Sequence, residues 1–293
     1  MEARRTMDAA GALGLVGFST LLAFNQVVVK ITNAGISPVL GAGLRSVLGV
    51  IVVLGWVALR KRGALAGMGQ TVRGGLLLGL LFGAEFVVLF LSLDLTTVSR
   101  ASIVFYSMPV WLALAAHFVL PGERLSRTRA LGLVLAMAGV GWALWAPESR
   151  GAGDWRGEAL ALVAAFLWAG IVLSLRLTDA SKLSPEAQLL WQLGLSAVVV
   201  PLIAPLFGPV LRAPEPVHVA GLLFQGAVVV GIGFTAWLAL VKRYRASDVA
   251  SFSFLSPVLA VGFGWLFLGE PVGPHFIGAM ALVGAGIVLI NRR

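Results

Sequence analysis

Apolar residues fill this chain in long, nearly continuous runs that polar residues break only at short intervals. A run of about 20 residues is the length of an α-helix crossing the hydrocarbon core of a bilayer. Ten such runs are legible, near residues 11–31, 38–59, 74–93, 99–120, 129–146, 157–177, 185–206, 217–241, 247–268 and 275–290. A spanning β-barrel would alternate apolar and polar residues at every second position, whereas these runs are continuous. The segments between them are short. The longest, such as 60–73 and 207–216, are too small to be domains. Arg4 and Arg5 precede the first run as they would in a signal peptide. That run is too long for an h-region, so it reads as a first spanning helix.

Two of the runs share a pattern. Residues 101–124 read ASIVFYSMPVWLALAAHFVLPGER and residues 249–271 read VASFSFLSPVLAVGFGWLFLGEP. Each carries an internal proline, Pro109 or Pro257, and each closes on Gly-Glu, Gly122-Glu123 or Gly269-Glu270. The prolines are 148 residues apart and the glutamates 147, half of a 293-residue chain. Other matches keep the interval. Leu22-Ala23 and Lys30 match Trp168-Ala169 and Arg176, Ser37-Pro38 matches Ser184-Pro185, Phe86 matches Phe234, and Gly139 and Gly141 match Gly284 and Gly286. The chain therefore reads as two repeats, 1–148 and 149–293, of five helices each. Five is odd, so the second repeat lies inverted with respect to the first. Inverted repeats are a common ground plan of secondary transporters, with substrate bound near the bilayer midplane.

Composition agrees with a lipid environment. The chain is 59% hydrophobic and 12% charged, with a mean hydropathy of +0.95, against about 25% charged residues in soluble domains. Its net charge of +9 is that of basic loops facing anionic lipid rather than of a nucleic-acid binder. With the N-terminus inside, 16 of the 22 basic residues fall in inside segments, 5 in outside segments, and Arg45 within a span. That bias places both termini in the cytoplasm. There is no cysteine, and His117, His218 and His275 lie far apart, so neither a thiolate site nor a metal spacing is present. No phosphate-cradling loop, nucleophile elbow or repeated filter sequence stands in the chain, which argues against ATP drive, an enzyme and a channel. No cofactor is expected. The expected partners are a small-molecule substrate and the lipid bilayer.

An ionisable side chain inside a bilayer is a functional hypothesis by default. Glu85 lies near the middle of the third span and Arg45 about a third of the way into the second. Their depths differ by about three residues, ~5 Å at helical rise. Either they pair as a structural lock or Glu85 faces the transport cavity. Uncharged polar residues extend the set: Asn25 and Gln26 in the first span, Gln192 at the repeat position of Arg45, Gln225 in the eighth span, and Ser107, Ser253 and Ser256 beside the two prolines. A proline within a span leaves a carbonyl free one turn earlier, and free carbonyls are tolerated where they line a cavity. Pro109 and Pro257 thus point to the pathway, with a packing kink as the alternative. Tyr106, Trp168 and Trp191 stand at depths where they could line an apolar subsite. Gly75, Gly79 and Gly83 recur at helical spacing, which suits close helix packing within one chain more than a homodimer face.

The ten runs, the two halves and the motifs Ser107-Met108-Pro109, Gly122-Glu123, Ser256-Pro257 and Gly269-Glu270 together resemble the drug/metabolite transporter superfamily, EamA type. The resemblance covers nearly the whole chain. Within the superfamily the chain most resembles bacterial amino acid exporters of the YddG type, which export aromatic amino acids and some others. That resemblance implies an all-α, basket-like membrane protein of ten helices with a central cavity, placed in the bacterial inner membrane and working by alternating access. On this reading Glu85 meets a substrate ammonium or carries a proton. Asn25, Gln192, Gln225 and Ser253 offer hydrogen bonds, and Tyr106, Trp168 and Trp191 shape the apolar subsite. Three alternatives stay open: a membrane scaffold or regulatory subunit with no transport cycle, an intramembrane lipid enzyme, and a carrier of other metabolites such as sugar phosphates. The last would want two basic groups in the cavity, and Arg45 alone qualifies clearly.

Overall fold

The structure, a computed structural model, describes residues 8–60, 63–120, 125–145, 153–244, 252 and 255–291. Among the described residues it is helical throughout, apart from an isolated bridge between Ile36 and Leu211. In chain order the helices are α1 (Ala9–Gly35), α2 (Pro38–Arg60), α3 (Val72–Leu95), α4 (Val98–Phe105), α5 (Met108–Val119), α6 (Arg127–Trp145), α7 (Trp155–Leu177), α8 (Pro185–Ile203), α9 (Pro216–Leu223), α10 (Phe234–Arg243), α11 (Leu255–Leu268) and α12 (Pro274–Asn291). Among the described residues, eight stretches are long and apolar enough to cross a membrane. The two shorter apolar helices, Leu255–Leu268 and Pro274–Ile290, lie where the sequence places the ninth and tenth runs.

Helix starts explain the repeated Ser-Pro pair. Ser184 accepts a hydrogen bond from the Ala187 N–H at 3.1 Å, and Ser37 one from the Leu40 N–H at 3.4 Å. The prolines that follow occupy the first helical position, where a missing N–H costs nothing. The eighth run is not one α-helix. Between α9 and α10 the chain forms a π-helix over Phe224–Gly233, with the Phe234 N–H reaching back five residues to the Val229 carbonyl.

The chain divides into two compact units, one of Met1–Val27, Leu95–Phe166 and Trp237–Arg293, the other of Val28–Asp94 and Leu167–Ala236. In the first, α6 and α12 run together along glycines. A Cβ on Gly132, Gly139 or Gly286 would come within 3 Å of backbone atoms of the facing helix. Phe24 meets Phe263 and Phe267 edge-on, with centroids 5.8 and 5.5 Å away. The short helix α4 is buried along its whole length.

In the second unit α2 packs on α8 and on the π-helix. Gly43 abuts Pro201, Gly49 abuts Val230, and Ser46 and Ser196 share a hydrogen bond of 2.9 Å. Gly75 and Gly79 of α3 make room for Trp191 and Leu195 of α8. The end of α1 is tied to α3 by Asn33, which donates to the Phe90 carbonyl at 3.0 Å, and by Lys30, which donates to the Leu93 carbonyl at 2.9 Å. Beside these, Arg212 holds both oxygens of Asp94 at 2.9 Å and the Asn33 carbonyl at 3.3 Å.

Candidate functional site

The first unit carries the proline break that the sequence singles out. The fourth run is two helices, α4 and α5, separated by Tyr106 and Ser107. Pro109 is the second residue of α5 and so lies in its first turn, where its ring obstructs no carbonyl of the same helix. Ser107 closes the break. Its hydroxyl donates to the Val104 carbonyl at 2.6 Å and accepts the Trp111 indole N–H at 2.9 Å. Trp111 in turn lies against Phe166, with ring centroids 4.4 Å apart. Pro257 is the third residue of α11 and likewise lies in a first turn. Tyr106 is buried and meets Phe105 edge-on at 5.4 Å. Asn25 is buried too, and its Oδ1 has no hydrogen-bond partner. Ser253 lies outside the described residues, as do Gly122 and Glu123.

The second unit carries the intramembrane charges. Arg45 is 1% exposed and Glu85 0%. Arg45 does not hydrogen-bond to Glu85: both carboxylate oxygens, and the Nε and one terminal nitrogen of the guanidinium, lack hydrogen-bond partners. The guanidinium instead lies over the Phe86 ring, 3.6 Å from its centroid, and 5.2 Å from that of Phe90. Phe82, Phe86 and Phe90 follow one another along α3 at one-turn intervals, the first pair tilted and the second edge-on, with centroids 4.6 and 6.1 Å apart. Phe86, on which the guanidinium rests, is the next residue after Glu85 in α3. Behind Arg45, a Cβ on Gly226 of the π-helix would fall 3.2 Å from the Arg45 carbonyl. π-Helical turns are rare and concentrate at functional sites.

The other sequence-derived candidates of this unit are dispersed. Gln225 is fully buried and donates to the Thr32 hydroxyl at 2.9 Å, while its carbonyl oxygen has no partner. Trp191 lies on Gly75 with its indole N–H buried and unpartnered. Gln192 donates to its own helix at Gln188, 3.2 Å away, and Trp168 is half-buried. The structure therefore brings Arg45 onto Phe86, the neighbour of Glu85 in α3, but gathers the amides and tryptophans of this unit into no single cluster.

One buried polar contact was not legible in the sequence. Glu270, the acid of the second Gly-Glu pair, is buried and faces the start of α4. It accepts the Val98 N–H at 2.6 Å, the Ser99 N–H at 2.9 Å and the Ser99 hydroxyl at 2.6 Å. A carboxylate there satisfies helix N–H groups that have no partner within the helix and complements the helix dipole. Gly269, at φ +65°, supplies the left-handed turn that aims it. The signal was the repetition of Gly-Glu at one interval, but repetition does not say what the acid touches.

A family model for EamA-like transporters matches residues 9–145 and 155–292. The chain is 26% identical over 283 residues to a Bacillus subtilis protein named uncharacterized transporter YoaV, covering 94% of this chain and 95% of that one. It is 27% identical over 294 residues to a Salmonella typhimurium protein named probable amino-acid metabolite efflux pump, covering 93% of each. One solved crystal structure superposes with a TM-score of 0.68 at 22% identity, over 97% of this chain and 96% of the other, a likeness of fold.

Proposed function

Since the chain belongs to the EamA-like transporter family, we propose that it is a secondary transporter exporting amino acids, aromatic ones among them, or similar small amphipathic metabolites. The observation that carries this reading is Glu85: a carboxylate 0% exposed within an apolar helix, with neither oxygen hydrogen-bonded. Such a group is costly to keep in lipid unless it meets a cation or a proton during work. An amino acid ammonium supplies the first and a coupling proton the second. The name of the Salmonella relative, a probable amino-acid metabolite efflux pump, supports the same substrate class.

The reading has the chain work by alternating access in the bacterial inner membrane. Its ten spans form two inverted repeats, residues 1–148 and 149–293, with both termini cytoplasmic and the chain a monomer. In the first unit Asn25, Tyr106 and Ser253 contact substrate, and Pro109 and Pro257 mark the helix breaks of the pathway. In the second unit Glu85, Gln192 and Gln225 supply polar contacts, and Trp168 and Trp191 apolar ones.

The test is flux in proteoliposomes loaded with the twenty amino acids, with and without a pH gradient. Efflux of a subset supports the reading. Accumulation driven by the gradient would make Glu85 the first candidate for the proton carrier, and equal flux without it would leave Glu85 a ligand at most. Folded protein that moves no amino acid would sink the amino acid reading and leave other metabolites to be tried.

A further inference from the structure

Arg45 and Glu85 sit in the second unit as opposite charges held apart. A buried ion pair repays its desolvation only through direct contact and well-satisfied hydrogen bonds. This pair makes neither: Phe86 and Phe90 hold the guanidinium on their faces, with its centre 3.6 and 5.2 Å from the two ring centroids, and both Glu85 oxygens stay bare. A cation–π contact satisfies the charge of an arginine but not its N–H donors. The structure thus presents donors and acceptors, each more than nine-tenths buried, with opposite charge and no mutual bond.

From this we infer that Arg45 is the carboxylate-reading residue for a net-neutral, zwitterionic α-amino acid, whose ammonium goes to Glu85. The inference rests on the transport reading above and narrows it. A zwitterion brings a carboxylate to the guanidinium fork and an ammonium to the carboxylate, so all four charges find partners. An amine alone leaves Arg45 unanswered, and an anion alone leaves Glu85 unanswered; either strands a charge at membrane depth. The planar fork of arginine matches a carboxylate with two parallel hydrogen bonds, which lysine cannot reproduce. Phe86 is the perch on which the guanidinium waits, and the π-helix behind the Arg45 carbonyl, with Gly226 in contact, is the irregular element beside it.

The experiment uses the full chain in proteoliposomes and three labelled probes: L-phenylalanine, its amide, which lacks the carboxylate charge, and N-acetyl-L-phenylalanine, which lacks the ammonium. The wild type is expected to move phenylalanine well ahead of both. Arg45→Gln should lower phenylalanine flux by about 10- to 100-fold, the scale of a lost charged hydrogen bond, without lowering flux of the amide. Arg45→Lys should raise the KM for phenylalanine and leave that for the amide unmoved. It also serves if Arg45→Gln does not fold. Wild-type flux of phenylalanine together with an equal fall of phenylalanine and amide in the variants would overturn the role of Arg45 alone. Absence of any wild-type amino acid flux would instead overturn the transport reading on which it stands.

Discussion

The Ser99 hydroxyl donates to the Glu270 carboxylate at 2.6 Å across 171 residues of sequence. With the two backbone N–H groups that Glu270 also accepts, this bond ties the last part of the first unit to the start of α4. The carboxylate is 6% exposed, so water cannot replace it. Glu270→Ala should therefore destabilise the protein by about 3–5 kcal/mol, because it strands two backbone N–H groups and a hydroxyl at about 1–3 kcal/mol each. Glu270→Gln should lose less, because one amide oxygen still accepts. Ser99→Ala, which removes only the hydroxyl, should cost about 1–3 kcal/mol. Thermal unfolding in detergent ranks the three. Equal midpoints for Glu270→Ala and wild type would show that the contact holds nothing.

The Arg212–Asp94 pair provides the contrast. It has comparable geometry, with both oxygens at 2.9 Å, but its side chains are 40% and 20% exposed. Solvent screens such a pair, and Asp94→Asn should cost only ~0.2–1 kcal/mol in the same assay. A loss as large as that of Glu270→Ala would mean that Asp94 does more than answer Arg212.

The glycines separate what the sequence tells from what it withholds. Repeat spacing matches Gly139 with Gly284 and Gly141 with Gly286, yet the packing uses Gly139 and Gly286. An added Cβ at Gly139 would lie 2.7 Å from the Ala279 carbonyl oxygen and one at Gly286 2.5 Å from the Ala136 nitrogen, while Gly141 and Gly284 have nothing within 4 Å. Gly139→Ala and Gly286→Ala should each cost about 1–3 kcal/mol by overpacking. Gly141→Ala and Gly284→Ala, with open space for the methyl group, should instead stabilise their helices by about 0.5–1 kcal/mol. The reverse ranking would place the α6–α12 seam on the other glycines.

The same division runs through the rest of the chain. Helix positions and the Ser-Pro starts were legible because they depend on local composition and on residues three apart. The break near Pro109 was legible for the same reason. The π-helix and the partner of Glu270 were not, because each is set by elements far away in sequence. Arg45 and Glu85 show the limit most closely. Depth along a helix follows from counting residues, but Glu85 and Phe86 point about 100° apart around α3, and a single residue decides whether Arg45 meets a carboxylate or a ring.

That ring makes a measurable claim. In a double-mutant cycle of Phe86→Leu with Arg45→Met, the coupling should be about 0.5–2 kcal/mol, as for a desolvated cation–π contact. Zero coupling would mean that the guanidinium does not rest on Phe86 in the bilayer.

The number of crossings is the last expectation, and α11 makes it worth testing. Its 14 residues span only ~21 Å at helical rise, short of the ~30 Å hydrocarbon core; the sequence assigns the rest of that span to residues 247–254. With no native cysteine, single substitutions can report sidedness. Gln70, Arg156, Ser181, Pro209 and Pro271 are all exposed. With ten spans and the N-terminus inside, cysteine at 156, 209 and 271 should react with a membrane-impermeant maleimide in intact cells. Cysteine at 70 and 181 should react only after permeabilisation. Position 271 decides the count. The C-terminus returns to the same side after eight crossings or ten, whereas the loop between α11 and α12 changes sides. Labelling of Pro271→Cys only after permeabilisation, with the other four as expected, would leave eight crossings and remove the inverted pairing of the two halves.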